Sequence, residues 1–392
     1  MLSQRQLFLL NTAQTSHTPK SLEIESAEGV YLFDTSGKKY IDLVSGFAVS
    51  NVGHRHPRVV QAIKDQADKY LHVTVYGEYI QTPQVLFAEK LCSVLPSALN
   101  SVYFVNSGTE ATEGAMKLAK RVTGRAGIVS CFNSYHGSTQ GALSLMGNEH
   151  YKQAFRPLIP GISFIRFNVP EDLEFINEET AAVFLETIQG EAGVIVPSRE
   201  YMQALRKRCD KTGTLLVMDE IQTGFGRTGK LFCFEHFDIV PDILLLAKGM
   251  GGGMPVGAFI ADKKNMDFLK ENPILGHITT FGGHPVSCAA GLEALSVLLD
   301  EQLTKDVAKK EKIFRDTLCH PRIKEIRGKG LLLSLQLSSF DEVDRVSKTC
   351  MENGLIIDWF LHNETSLRIA PPLVITEEQI KKACEIILVA LN

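Results

Sequence analysis

A chain of 392 residues is too long for one ordinary core and suits one large and one small domain. Hydrophobic residues at 44% and charged residues at 22% are ordinary for a soluble globular chain, and a net charge of −4 gives no electrostatic reason to expect nucleic acid or an anionic membrane as a partner. The eight cysteines are scattered with no C-x-x-C or Cys/His cluster, which predicts reduced thiols in a cytoplasm-like compartment and no metal site.

In chain order, the apolar run 7–10 is too short for a signal-peptide core, and no stretch approaches the roughly 18 apolar residues of a membrane span. Residues 1–52 read as short strands and turns, with Asp34-Thr35-Ser36-Gly37 as a hairpin turn. From 53 to 283 the pattern becomes strand–helix alternation. Strands are predicted at 101–105, 126–132, 162–167, 181–185, 214–218, 243–247 and 256–260, with a helix over 110–121. The strands are short, apolar and rich in β-branched residues, as in a sheet buried on both faces. The region is therefore α/β, built on a mostly parallel sheet. From 284 to 392 the reading is a small α+β domain, which segment 1–52 joins. It has a helix at 285–300, another from Leu303, strands at 330–337, 355–357 and 367–369, and a last helix opened by the capping box Thr376 to Gln379.

Several turns between these elements carry chemistry. Asn106-Ser107-Gly108-Thr109-Glu110 joins a strand to a helix and exposes backbone N–H groups suited to a phosphate; a plain N-cap is the bland alternative. Asn133-Ser134-Tyr135-His136-Gly137-Ser138-Thr139 puts an aromatic at a strand end, where it can stack on a flat ring or simply pack. Glu186-Thr187-Ile188-Gln189-Gly190-Glu191 sets two carboxylates and an amide where open α/β sheets bind ligands. Gly224, Gly226 and Gly229 spell a dinucleotide fingerprint, and Gly224 to Lys230 most of a P-loop. Leu231 stands where a P-loop needs Ser or Thr, and 231–241 lacks the helical period a dinucleotide loop should open, so both readings are disfavoured.

Two charged residues close apolar runs. Asp219 ends 214–218 and Lys248 ends 243–247. A lysine in a dry pocket loses proton affinity and becomes a nucleophile towards carbonyls. A carboxylate at a neighbouring strand end can hold a ring nitrogen protonated. The pair is what a pyridoxal phosphate site needs.

Taken in order, these segments resemble the class III (subgroup II) pyridoxal phosphate-dependent aminotransferases, a family that includes acetylornithine, ornithine and ω-amino acid aminotransferases. The likeness runs from Gly29-Val30-Tyr31-Leu32-Phe33-Asp34 to Leu367-Arg368-Ile369-Ala370-Pro371-Pro372, and is most specific at 219–229 with Lys248-Gly249 following. It implies fold type I, with a large domain on a mostly parallel seven-stranded sheet plus a small α+β domain. It implies a homodimer with shared active sites. It further implies Lys248 as Schiff-base lysine and proton carrier, Asp219 on the pyridine nitrogen, Gln222 at the ring hydroxyl, and Ser107, Gly108 and Thr109 at the phosphate. Thr280 would reach the partner subunit's phosphate. Tyr135 would stack on the ring beside His136, with Glu186 also at the cofactor. Arg368 would grip the carboxylate of 2-oxoglutarate or glutamate, and Glu191 would pair with it when a carboxylate-free amine occupies the site. Many ornithine-type members carry Arg where this chain has Ser138, so their clamp on the donor's far carboxylate is missing. Phe47 and Tyr76 are expected along the donor pocket. The implied reaction moves an ω-amino group from an ornithine- or acetylornithine-like donor to 2-oxoglutarate by a ping-pong route. Amine or ω-amino acid:pyruvate transamination and a class III aminomutase are the alternatives.

Overall fold

The computed structural model describes residues 2–392 and contains three sheets. The largest has seven strands in the spatial order Ser101–Val105, Gly257–Ala261, Ile243–Leu246, Leu215–Asp219, Thr180–Glu186, Gly127–Cys131 and Ile162–Ile165. Thr180–Glu186 is buried along its whole length, as are Ile243–Leu246 and Gly257–Ala261. That burial explains why these segments read as continuous apolar runs rather than alternating ones. The five strands from Ile243–Leu246 to Ile162–Ile165 pair in parallel. Gly257–Ala261 runs antiparallel to both its neighbours. The connection 247–256 holds only a short 3-10 turn, Lys248–Gly251, which is too little for a parallel crossover, so the chain doubles back. The turns after the parallel strands gather at one edge of the sheet, and these are the segments 132–139, 187–191, 220–229 and 247–256.

The hairpin predicted at 34–37 forms. Asp34 Oδ1 accepts from the amides of Ser36 at 2.9 Å and Lys38 at 3.0 Å. Its second strand, Lys39–Asp42, pairs in parallel with Leu355–Ile356, so the two ends of the chain share a sheet. The third sheet orders Glu325–Lys329, Leu332–Gln336, Asn363–Ile369 and Asp358–Phe360, and carries Arg368. Where the sequence pattern predicts one strand over 330–337, two are present, Glu325–Lys329 and Leu332–Gln336. Gly330, at φ 62°, makes the turn between the two, and the charged residues of the first strand masked its pattern. The capping box at Thr376 is present and opens Glu377–Leu391.

One turn is locally unfavourable. Ser45, Gly46, Phe47 and Ala48 are all left-handed, at φ 48°, 64°, 63° and 65°. Each non-glycine residue in that region costs about 1–2 kcal/mol. Among the described residues, no helix is long and apolar enough to cross a membrane.

Candidate active site

The sheet edge described above opens on a chamber of about 540 Å³. Its floor is set by strand register. Glu186 and Asp219 end neighbouring parallel strands directly opposite one another. Asp219 Oδ1 accepts from the Ile221 amide at 2.9 Å, and Oδ2 lies 2.7 Å from His136 Nδ1. Both groups are buried, so the imidazole fixes the carboxylate's orientation. His136 Nε2 has no partner of its own. Glu186 accepts from the amides of Gly190 at 3.0 Å and Tyr135 at 3.2 Å. Burial raises its pKa well above the ordinary carboxylate range, and the negative charge of Asp219 adds to the rise.

Lys248 sits at φ 48° two residues beyond Ile243–Leu246, which turns its side chain into the chamber. Burial lowers its proton affinity, against the opposing pull of Glu191. Across the chamber, Ser107 caps the sixteen-residue helix Gly108–Thr123 by accepting from Glu110 N. The free N–H groups of that helix's first turn face the cavity beside Thr109. A Cβ at Gly108 would lie 2.7 Å from Ile221 Cδ1, so a larger residue there would need Ile221 to shift.

The remaining wall carries an ion pair. Arg368 Nη2 donates to Glu191 Oε2 at 2.8 Å, and only 1% of the arginine is exposed. Burial works to raise Glu191, but the charge of Arg368 and its hydrogen bond override it and hold the carboxyl at about 2. Arg368 Nε and Nη1 are buried and unpartnered, and each shares a bidentate edge with Nη2, so a carboxylate gripped at two points displaces Glu191 from Nη2. Phe360 and Phe47 flank the guanidinium, with ring centroids 4.3 and 5.1 Å from Cζ. Gln222 Nε2 reaches Glu191 Oε1 at 3.3 Å, while Gln222 Oε1 has no partner.

The sequence-predicted residues Ser107, Gly108, Thr109, Tyr135, His136, Ser138, Glu186, Glu191, Asp219, Gln222 and Lys248 thus line one chamber. Arg368 does not itself line the chamber and joins it through Glu191; Phe47, expected along the donor pocket, does not line it either and packs on Arg368 instead. Ser138 is exposed at the mouth, 3.3 Å from the Tyr135 hydroxyl. Thr280 is exposed and does not line this chamber. Tyr76, expected in the donor pocket, lies on the surface of the chain and does not line it either. Sequence reading passed over Ile221, Met254 and Val49, which close the apolar parts of the wall, because single apolar residues in turns carry no pattern.

The donor set fits a phosphorylated heteroaromatic aldehyde. It offers a helix N-terminus for a phosphate, a buried carboxylate for a ring cation, an unpartnered amide oxygen, and a lysine of reduced proton affinity. Comparison with known proteins agrees. The family model "Aminotransferase class-III" matches residues 12–391. The acetylornithine aminotransferase of Caldanaerobacter subterraneus subsp. tengcongensis is 39% identical over 399 residues, covering 99% of this chain and 98% of the relative. That of Methanocaldococcus jannaschii is 41% identical over 367 residues, covering 90% and 89%. Among solved structures, the ornithine aminotransferase of Toxoplasma gondii superposes with a TM-score of 0.91 at 32% identity, over 98% of this chain and 92% of that one. Its active site holds pyridoxal phosphate at partial occupancy. A transaminase from a marine Virgibacillus gives 0.92 at 28% identity, over 98% and 97%.

Proposed function

The chain belongs to the class III aminotransferases, and from that premise we propose that it moves an ω-amino group from an ornithine- or acetylornithine-like donor to 2-oxoglutarate. Its cofactor is pyridoxal phosphate. The observation that carries the acceptor is the Arg368–Glu191 pair, with two guanidinium donors left free beside Lys248. A planar guanidinium binds a carboxylate bidentately, and a neighbouring glutamate neutralises it when no carboxylate is present.

Bound in the chamber, the cofactor supplies a carbonyl for the amino group and a ring that accepts the electron pair left when a proton departs. The protein does the rest. Ser107, Gly108 and Thr109 hold the phosphate at the helix N-terminus. Asp219, oriented by His136, holds a proton on the ring nitrogen. Gln222 reaches the ring hydroxyl, with Glu186 behind it. Tyr135 packs on the ring face. Lys248 Nζ, its proton affinity lowered by burial, would take the substrate proton and return it on the same face, one atom beyond the nitrogen. Arg368 and Glu191 exchange partners as acid and amine alternate.

Thr280, exposed on its own subunit, completes the site of a partner in a homodimer. The chain divides into a segment 1–52, a large domain 53–283 and a small domain 284–392, and the pairing of Lys39–Asp42 with Leu355–Ile356 supports joining the first to the last. The eight free cysteines support a cytoplasmic setting.

Ser138 favours a second reading, an amine or ω-amino acid donor with pyruvate as acceptor. The mouth offers the hydroxyls of Ser138 and Tyr135 rather than a cation for a far carboxylate. Half-reactions followed by cofactor absorbance separate the two. Rapid conversion by ornithine or acetylornithine and by glutamate supports the first. Conversion only by amines, diamines or β-alanine supports the second. Turnover with no added 2-oxoacid overturns both in favour of a mutase.

A further inference from the structure

The glycine loop 224–229 matched two nucleotide motifs, and neither describes what it does here. Gly226 and Gly229 sit at φ 86° and 93°, and the Gly229 amide closes on Gly226 O at 3.0 Å. Only glycine suits such backbone, and a side chain at Gly226 would strike Leu373 and Leu298. The fold-back drives Arg227 inward until its exposure is 0%.

No carboxylate lies within salt-bridge distance of Arg227 among the described residues. Its partners are neutral oxygens on separate segments. Nη1 donates to Leu331 O at 3.0 Å and to Pro371 O. Nη2 donates to Asn51 Oδ1 at 2.5 Å and to Ser45 Oγ at 3.4 Å. The same segments are tied again around it. Ser45 Oγ donates to Ala370 O at 2.6 Å, Asn51 Nδ2 to Phe225 O at 2.8 Å, and the Ala370 amide to Leu43 O at 2.7 Å. Burial pushes the guanidinium down to about 9, opposed by Asp42, so it stays charged at neutral pH.

Burying a cation against neutral oxygens costs stability that a well-packed hydrophobe would not, so its presence calls for a role that a hydrophobe could not fill. Two features show what that is. Ser45 begins the left-handed turn whose third residue, Phe47, lies over Arg368. Ala370 and Pro371 directly follow the strand Asn363–Ile369 that carries Arg368. A planar fork reaches both sides at once, which a lysine's single nitrogen does not.

We propose that Arg227 is a positioning residue for the acceptor's carboxylate: it clamps the strained turn at 45–48 to the strand end beyond Arg368, and so fixes Phe47 against the guanidinium that receives the acid. This rests on the assignment of Arg368 to the 2-oxoacid. Strained backbone persists only where its surroundings over-determine it, and this network does so at a site edge.

The test uses the full-length enzyme loaded with pyridoxal phosphate and the variants Arg227→Lys, Ser45→Ala and Arg368→Ala. Three quantities are read: the dissociation constant of glutarate, an unreactive dicarboxylate; the KM for 2-oxoglutarate; and the half-reaction rate with the fastest ω-amino donor. Arg227→Lys is expected to weaken glutarate and raise the KM about tenfold, and Ser45→Ala roughly threefold, with the donor half-reaction within about twofold of wild type. Unchanged glutarate affinity, or equal loss in both half-reactions, overturns the inference. Should Arg227→Lys fail to fold, Ser45→Ala decides by the same criteria. If Arg368→Ala binds glutarate normally, the assignment of Arg368 falls and this inference with it. If Arg368→Ala loses glutarate while Arg227→Lys and Ser45→Ala keep it, only this inference falls.

Discussion

The turn at 186–191 carries a carboxylate at each end, and the two ends meet different halves of the chamber. Glu186 belongs to the floor, where its nearest charged neighbour is Asp219, and it is pushed well above the usual carboxylate range. Glu191 belongs to the acceptor wall, where Arg368 holds it at about 2. Burial raises both; the sign of the neighbouring charge separates them. The floor is thus arranged to keep a second negative charge away from Asp219, and the wall to keep a pair of charges ready to part.

The largest effect that sharpens this contrast comes from the floor. Lys248→Ala is expected to fold normally by circular dichroism while losing transamination by at least about 10²-fold in steady-state assays, as removal of a proton-transfer group does. Substantial residual turnover would remove the role given to Lys248. Next, on the wall, Arg368→Ala should raise the KM for 2-oxoglutarate by about 10- to 100-fold, the scale of lost hydrogen bonds to a charged group. An equal effect on a carboxylate-free amine would mean the wall does not switch.

The two glutamates themselves should respond to pH in opposite directions, read as urea midpoints of the cofactor-free protein. Glu191 is depressed below its ordinary 4.5, so its contribution is full above that value and lost as pH falls towards about 2. The margin of wild type over Glu191→Gln should therefore close on acidification through that window. Glu186 is raised, so its cost emerges as pH climbs past 4.5, and Glu186→Gln should gain on wild type in the same direction. Parallel curves for the two variants would break the comparison. The smallest expected effect is at the mouth. Ser138→Arg should favour ornithine over a simple amine by several-fold in half-reaction rates, through one exposed ion pair worth about 1 kcal/mol or less.

The floor was more legible in the sequence than the wall, for a physical reason. Asp219 and Lys248 each end an apolar run, and Ser107 precedes a helix, so local pattern marks them. The wall is assembled from distant segments: Glu191 from a turn of the large sheet, Arg368 from the third sheet, Phe47 from near the N-terminus. Nothing local announces that they meet, and only the likeness to a known family brought them together. Arg227 was hidden further, because its glycines advertise a phosphate loop while their actual effect is to bury a side chain. The left-handed turn at 45–48 left one faint trace, Gly46, among residues that ordinarily avoid such backbone. The antiparallel setting of Gly257–Ala261 was unreadable from composition, since a fully buried strand looks alike in either direction.

The sheet shared by the two ends of the chain has a consequence for synthesis on the ribosome. Lys39–Asp42 emerges early, yet its partner Leu355–Ile356 is among the last strands made. Until then the Tyr31–Asp42 hairpin has an open edge and Ser45 lacks the Ala370 carbonyl to which it donates. Pairings between such distant segments form late and slowly. Every floor residue precedes position 249, whereas the acceptor wall waits for Arg368, so a product truncated between them would have the lysine without its gate.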